Sequence, residues 1–281
     1  METTSLKPSL TYKLGGDIEI NRLGYGAMQL TGYGVFGEVN DRENAKKVLQ
    51  EAVRAGVNFI DTAEAYGPHF NEKLIHDALY PYKNLVIATK GGFYRSGPNQ
   101  WTPKGSAEFI RQNIEGSLER LKTECIDLWQ LHRFDPKTPI EETLSPVVDA
   151  VKAGKIRHVG LSEVSIQQIE EAEKILPIVS VQNLYNLENR QWEEIVEYTA
   201  KRDIAFIPWF PLASGPLKLA GKVNKLASKH GATTAQIALA WLLKRSPNIL
   251  LIPGTKSVTH LKENLKAAEI TLTDEEFASL S

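Results

Sequence analysis

Cysteine is almost missing from these 281 residues. Cys125 stands alone, so no disulfide can form within the chain. It lies in the apolar run CIDLWQL and reads as a buried small hydrophobe. Neither sign of charge is in excess: 33 Lys and Arg stand against 34 Asp and Glu. That balance offers no basic face to nucleic acid and no polybasic segment to a membrane. No apolar run approaches the roughly 18 residues of a spanning helix. The opening METTSLKPSL lacks the apolar core of a secretory signal. Metal-ligand spacings are missing as well. His69, His76, His158 and His230 form no HxH or HExxH pair, which argues against a metal-dependent hydrolase. No Gly/Ser/Pro-rich linker, charge block or repeat divides the chain. These absences predict one domain over residues 1–281, a cytoplasmic monomer that binds neither nucleic acid nor membrane.

What is present is alternation. Eight short apolar runs recur at near-even spacing: LGYGAM, VNFID, LVIATK, IDLWQLH, IRHVGLS, VSVQN, IAFIPWF and ILLIPG. Several are continuously apolar, as in strands buried on both faces of a parallel sheet. Helical patterns lie between them. DRENAKKVLQEAVRAG starts at a capping Asp41 and ends in Gly56, and SIQQIEEAEKIL runs from Ser165 to just before Pro177. EETLSPVVDAVKAGKI and TTAQIALAWLLKRS read the same way. Eight strand–helix units in this length predict a (β/α)₈ TIM barrel over about 22–281. Ahead of it, LTYKLGGDIEIN predicts a hairpin over about 10–20 that covers the barrel floor. The run 215–232 reads as an extra helix in one connection.

Polar residues then appear where apolar runs end. Asp61 follows VNFI, Lys90 follows LVIAT, His132 follows IDLWQL, Ser162 follows IRHVGL, Gln182 follows VSV, and Trp209 follows IAFIP. Each alone has an ordinary explanation as a cap, a snorkelling lysine or a core histidine. Together they fall at one mouth of the predicted barrel, where strand ends and following loops carry chemistry. Tyr66 lies just beyond Asp61 in FIDTAEAYG. A phenol titrates near 10, and a neighbouring ammonium favours its ionised form and makes it a better proton donor. A sheltered ammonium in turn needs an anion. The residues therefore suggest that Asp61 holds Lys90, Lys90 acidifies Tyr66, and a neutral His132 positions a substrate oxygen.

FIDTAEAYG, VIATKGG, LWQLHR, VGLSE, VSVQN and LIPGTKSVTHLKEN, in that order, resemble the aldo-keto reductase superfamily over nearly the whole chain. The resemblance implies Asp61, Tyr66, Lys90 and His132 as the catalytic tetrad. It also implies NADPH/NADP+ as cofactor, bound without a strand–GxGxxG–helix unit, which this chain lacks. Ser162 and Gln182 match residues that bind the carboxamide. Trp209 matches the aromatic stacked on the nicotinamide, with Leu212 beyond it. The main chain at Gly26, Ala27 and Met28 lies where the family approaches the cofactor. Lys256 and Ser257, at the start of a helix, suit the 2′-phosphate. His260 stands where many relatives have arginine, and Glu263 and Asn264 match adenine contacts. Glu163 departs from the asparagine many relatives carry beside that serine. An ionised carboxylate cannot donate to the carboxamide oxygen, so its role stays open.

The resemblance implies reduction of a small-molecule carbonyl by hydride transfer, with Tyr66 as proton donor. Phe36, Phe93, Tyr94, Trp101 and Arg133 sit in the loops expected to shape the substrate. NRLGYGAMQL, DALYPY and IAFIPWFPL further resemble a bacterial branch that includes pyridoxal reductases, making an aromatic aldehyde such as pyridoxal the leading substrate. A broad-specificity aldehyde or ketone reductase is the alternative. A redox-sensing module that binds NADPH with little turnover is the alternative of another class. The intact tetrad and the lack of an appended domain weigh against it.

Overall fold

The computed structural model describes residues 10–212 and 219–280. Strands β1 (Thr11–Leu14) and β2 (Ile18–Asn21) pair antiparallel around Gly15 and Gly16, whose positive φ angles make the turn. The main sheet starts with β3 (Tyr25–Gly26), β4 (Phe59–Asp61) and β5 (Val86–Gly91). A separate antiparallel ribbon follows, β6 (Phe93–Gly97) and β7 (Gln100–Pro103), in a stretch expected to be only a loop. Strands β8 (Ile126–Leu131), β9 (Ile156–Ser162), β10 (Ser180–Gln182) and β11 (Ala205–Phe206) complete the sheet. All seven neighbours run parallel in the order β3-β4-β5-β8-β9-β10-β11.

The eighth apolar run does not add a regular strand. Ile249 and Leu251 make isolated parallel bridges, to Phe206 at one edge and to Leu23 beside the other. The edge strands β3 and β11 are two residues each, so a longer ladder has no partner to extend along. The sheet is therefore curled, with one short segment reaching both of its edges.

Side-chain alternation explains the continuously apolar runs. Phe59, Ala88, Leu128, Ala205, Ile207 and Leu250 share one cluster with Leu14, Ile18 and Ile20 of the hairpin. These face the inside of the curl, and the hairpin closes its amino-terminal end. The alternate residues Trp129, Val159, Leu161, Val181, Phe206 and Leu251 pack outward in the largest core cluster, against the helices.

Ten helices are described: α1 (Arg42–Arg54), α2 (Phe70–Leu79), α3 (Ala107–Leu121), α4 (Ile140–Lys152), α5 (Ile166–Glu173), α6 (Glu193–Lys201), α7 (Ala220–His230), α8 (Thr234–Arg245), α9 (Val258–Leu265) and α10 (Asp274–Leu280). Capping sets their starts. Asp41 accepts from the Asn44 N–H, and Ser165 with Gln168 and Thr233 with Gln236 form reciprocal capping boxes at α5 and α8. The extra helix expected over 215–232 is α7, packed against α8; residues 215–218 lie outside the described residues. Among the described residues, no helix is long and apolar enough to cross a membrane.

Candidate active site

The inward positions of the strands turn polar near their carboxyl ends. Register brings Asp61 beside Ala88, Lys90 beside Gln130, Gln130 beside Gly160, and Ser162 beside Gln182. Gly160 is required in this layer. A Cβ there would come within 2.0 Å of the Ser180 hydroxyl oxygen. Asp61 is the hub. Its Oδ1 accepts from Lys90 Nζ at 2.5 Å, and its Oδ2 accepts from Gln182 Nε2 at 2.9 Å and Gln130 Nε2 at 3.2 Å. Lys90 is fully buried and also donates to the Thr62 carbonyl at 2.8 Å. Burial works against its charge, but the attraction of Asp61 is strong enough to raise its pKa above the ordinary lysine value. An ammonium is thus fixed in a dry place, at the cost of a fully compensated partner.

That ammonium meets the Tyr66 hydroxyl at 3.4 Å. Lys90 lowers the Tyr66 pKa as expected, but burial outweighs it. Burial raises the Tyr66 pKa, Lys90 opposes it, and Asp61 adds to the rise, so the net shift is upward. Lys90 limits the loss of acidity rather than producing a gain. Tyr66 therefore holds its proton at neutral pH, the state a proton donor needs. His132 takes the opposite shift. Burial, then the charges of Lys90, Arg133 and Arg95, hold its pKa well below the usual histidine value, so the ring is neutral. Its Nδ1 is buried without a partner. The two rings meet edge to face with centroids 5.8 Å apart. Phe93, 4.6 Å from the His132 ring, and Trp101, 6.3 Å from the Tyr66 ring, complete an aromatic box.

A cavity of about 520 Å³ opens over this group. Asp61, Tyr66, His132, Ser162, Gln182 and Trp209 all line it, so five of the six strand-end residues converge on one space; Lys90 lies directly behind. Gly26, Met28, Leu212, Phe93, Trp101 and Arg133 line it too. Arg133 turns inward. Its Nη1 donates to the Ser162 hydroxyl at 2.9 Å and to the His132 carbonyl at 2.6 Å, and its guanidinium lies 5.5 Å from the centre of the Phe93 ring.

Other expected residues lie elsewhere. Ala27 is fully buried, with its N–H donated to the Asp61 carbonyl and its own carbonyl taken by Asn71 and Leu30. Tyr94 points to a second, smaller cavity beside Glu64, His69 and Phe109. Phe93, its neighbour on β6, borders both cavities, whereas Tyr94 borders only the smaller one. Phe36 packs near the Arg95 guanidinium at 5.7 Å, and its neighbour Val35 reaches the cavity instead. Lys256, Ser257, His260, Glu263 and Asn264 sit past Gly254, where the cavity ends, on α9 and the turn before it. Ser257 is the N-cap of α9 and accepts from the His260 N–H at 3.3 Å. Lys256 is exposed, with Nζ 3.4 Å from the Thr31 carbonyl. Among the described residues, no group of three or more His, Cys, Asp or Glu could hold a metal ion.

Two residues central to this geometry carry no obvious mark in the sequence. Gln130 sits inside an apolar run, and only its even spacing from His132 places it on the inward face. Arg95, in the ribbon, donates to five carbonyls: Gln100, Val35, Ala65, Gly34 and Gly97. Its guanidinium lies 3.5 Å from the centre of the Trp101 ring. It thus fixes the ribbon, the 34–35 loop and the residue preceding Tyr66 to one another.

Comparison with known proteins gives this geometry a context. The model of the aldo/keto reductase family matches residues 22–281. An uncharacterised oxidoreductase of Schizosaccharomyces pombe is 52% identical over 266 residues, 94% of this chain and 87% of its own. Pyridoxine 4-dehydrogenase of Escherichia coli K12 is 42% identical over 279 residues, 97% of each chain. An aldo-keto reductase from Klebsiella pneumoniae, crystallised with NADPH, matches with a TM-score of 0.82 at 25% identity, covering 96% of this chain and 93% of that one. From the start of its curled sheet to its last residue, with a buried Asp–Lys pair set behind a tyrosine and a neutral histidine, this chain is an oxidoreductase of the aldo/keto reductase family.

Proposed function

We propose that the chain reduces an aldehyde to its alcohol with NADPH, on a (β/α)₈ barrel in which the segment Ile249–Leu251 acts as the eighth stave. One observation carries the reading: Lys90 Nζ lies between Asp61 and the Tyr66 hydroxyl beneath a cavity that His132 also lines. With a carbonyl group in that cavity and its oxygen toward Tyr66 and His132, the oxygen receives from the phenol the proton it needs as the carbon takes up hydride. Neutral His132 orients the oxygen without competing as an acid. Lys90 favours the phenolate that remains, and Asp61 keeps Lys90 charged.

The residues present fit a nicotinamide cofactor. The cavity runs from the tetrad to Ile252, Pro253 and Gly254, with the Trp209 ring along its wall. When bound, NADPH supplies the hydride. Ser162 and Gln182 are placed to hold the carboxamide. Gln182 donates its amide nitrogen to Asp61, and its carbonyl oxygen is left as an acceptor. Lys256 and the start of α9, beyond the cavity end, suit the 2′-phosphate. All four tetrad residues come from one chain, so the site needs no residue from a partner.

Pyridoxal is the substrate we favour. It is a small aromatic aldehyde with an acidic hydroxyl next to the carbonyl. Phe93 and Trp101 offer it aromatic walls, and the inward Arg133 guanidinium offers a partner to its phenolate oxygen. The 42% identity to the Escherichia coli pyridoxine 4-dehydrogenase supports the same choice. NADPH absorbance loss with pyridoxal and with benzaldehyde tests it. A charge-assisted bond to Arg133 should raise kcat/KM for pyridoxal roughly tenfold or more. Equal or better use of benzaldehyde would leave a broad-specificity aldehyde reductase as the better reading.

A further inference from the structure

Glu163 makes contacts that its place beside Ser162 does not require. It has a positive φ of 54°, a left-handed conformation uncommon for a glutamate, at the end of β9. The main chain is locked there by Glu163 N–H donating to the Gln182 carbonyl at 3.0 Å. It is locked again by Asn183, whose side chain accepts from the Val164 N–H and donates to its carbonyl. The strained turn sends the carboxylate sideways across the ends of β10 and β11. Its Oε1 accepts two hydrogen bonds, from the Leu184 N–H at 2.5 Å and from the Trp209 indole Nε1 at 2.7 Å.

The second bond defines the ring. An indole has one polar atom and turns freely about two side-chain torsions unless that atom is held. Here the N–H edge is tied to a carboxylate, while the ring borders the large cavity. On the other side stands the Arg133 guanidinium, 6.0 Å from the ring centre. The indole therefore lies between an anion bonded to its edge and a cation above it. A carboxylate accepting from Nε1 pushes electron density into the ring and deepens the negative potential of its face. A ring so enriched attracts a cation more strongly. The oxidised nicotinamide carries a positive charge on its ring and the reduced one does not.

We propose that Glu163 is a positioning residue that sets the plane of Trp209 and, by charging its N–H edge, makes this wall of the cavity prefer the oxidised cofactor to the reduced one. The inference rests on the assignment of Trp209 to the nicotinamide wall. It gives the departure from asparagine at this position a purpose unrelated to the carboxamide. A neutral amide at 163 would still accept from the indole, but would leave the repulsion of Arg133 for a cationic ring unopposed.

The test is equilibrium binding of NADP+ and NADPH to the full chain, by calorimetry, without substrate. Glu163→Gln keeps an acceptor oxygen and removes the charge. We expect NADP+ to bind about threefold to tenfold more weakly, with NADPH changed by less than about twofold. In a Trp209→Phe background the same substitution should leave the ratio of the two dissociation constants unmoved, because the ring then has no N–H for residue 163 to hold. Glu163→Gln that shifts neither constant, or that shifts both equally, overturns the inference. So does an equal ratio change in the Trp209→Phe background, which would make the effect a direct one of charge on the ligand. Failure of the parent reading looks different: the unaltered chain would then bind neither cofactor.

Discussion

Two aspartates at opposite ends of the sheet each hold a cation, and they differ in what surrounds them. At the mouth, Asp61 and Lys90 have side chains 3% and 0% exposed. At the floor, Asp17 in the hairpin turn pairs with Arg157 at 2.9 Å and His158 at 2.7 Å, with Asp17 49% and Arg157 45% exposed. The pair chemistry is nearly the same. Water makes the difference. Around Asp17 it screens the attraction and hydrates either partner if the other leaves. Around Asp61 burial leaves it little room, so each charge depends on the other and their field reaches Tyr66 with little screening. A similar ion pair thus serves as a surface clasp at one end and as a buried support beneath the Tyr66 hydroxyl at the other.

The comparison can be pressed from the mouth outward. Tyr66→Phe removes the proposed proton donor above the buried pair while keeping the ring. We expect kcat to fall by about 10²–10⁴, with NADPH affinity unchanged in a fluorescence titration. Retention of more than about a tenth of kcat would detach the pair from any role in catalysis. Lys90→Met leaves Asp61 buried without its cation, and urea unfolding should show a loss of about 3–5 kcal/mol. Adding Asp61→Leu to that variant should recover a large part of the loss, since no buried charge is then stranded. A loss below about 1 kcal/mol for the single variant would place the mouth pair in the same class as the floor pair.

The smallest effect belongs to Asp17→Asn: at most about 1 kcal/mol of stability and no change in kcat/KM. Its sign with pH also follows. Hydrogen bonds from His158 and then Arg157 hold the Asp17 carboxyl below its ordinary value. The folded state thus binds a proton less readily than the unfolded chain. The contribution is present above the unfolded value near 3.9 and disappears as pH falls through the lowered folded one. Unfolding curves of the two proteins should therefore converge in acid. Curves that diverge there would reverse the assignment.

The outline of this site was legible because its chemistry sits at strand ends. A polar residue closing a continuously apolar run is out of place in a core, and Asp61, Lys90, His132, Ser162 and Gln182 each stand out that way. Continuously apolar runs also marked which strands would be buried on both faces. What stayed hidden depends on neighbours distant in sequence. Gln130 looks like a lapse in an apolar strand until register sets it beside Lys90 and Gly160. Arg95 looks like a surface residue in a loop until five carbonyls from three segments close on it. Glu163 could be seen as an anomaly, but its partners are 21 and 46 positions away in sequence. The net rise in the Tyr66 pKa was illegible for a different reason: it is a balance between burial and two opposed charges, and burial cannot be read from a motif.

Arg95 has one more implication. All five carbonyls it binds belong to the main chain, at Gln100, Val35, Ala65, Gly34 and Gly97. The hydrogen bonds of the latch therefore do not read side chains, although Gly34 itself has no room for one: a Cβ there would come within 2.7 Å of Pro98. Residues such as Val35 and Gln100 can be exchanged while the loops keep their places, and the shape and polarity of the entrance can drift one substitution at a time. Selection for a new substrate would then act on side chains held in a fixed frame, and Tyr66, next to Ala65, would not have to be repositioned at each step.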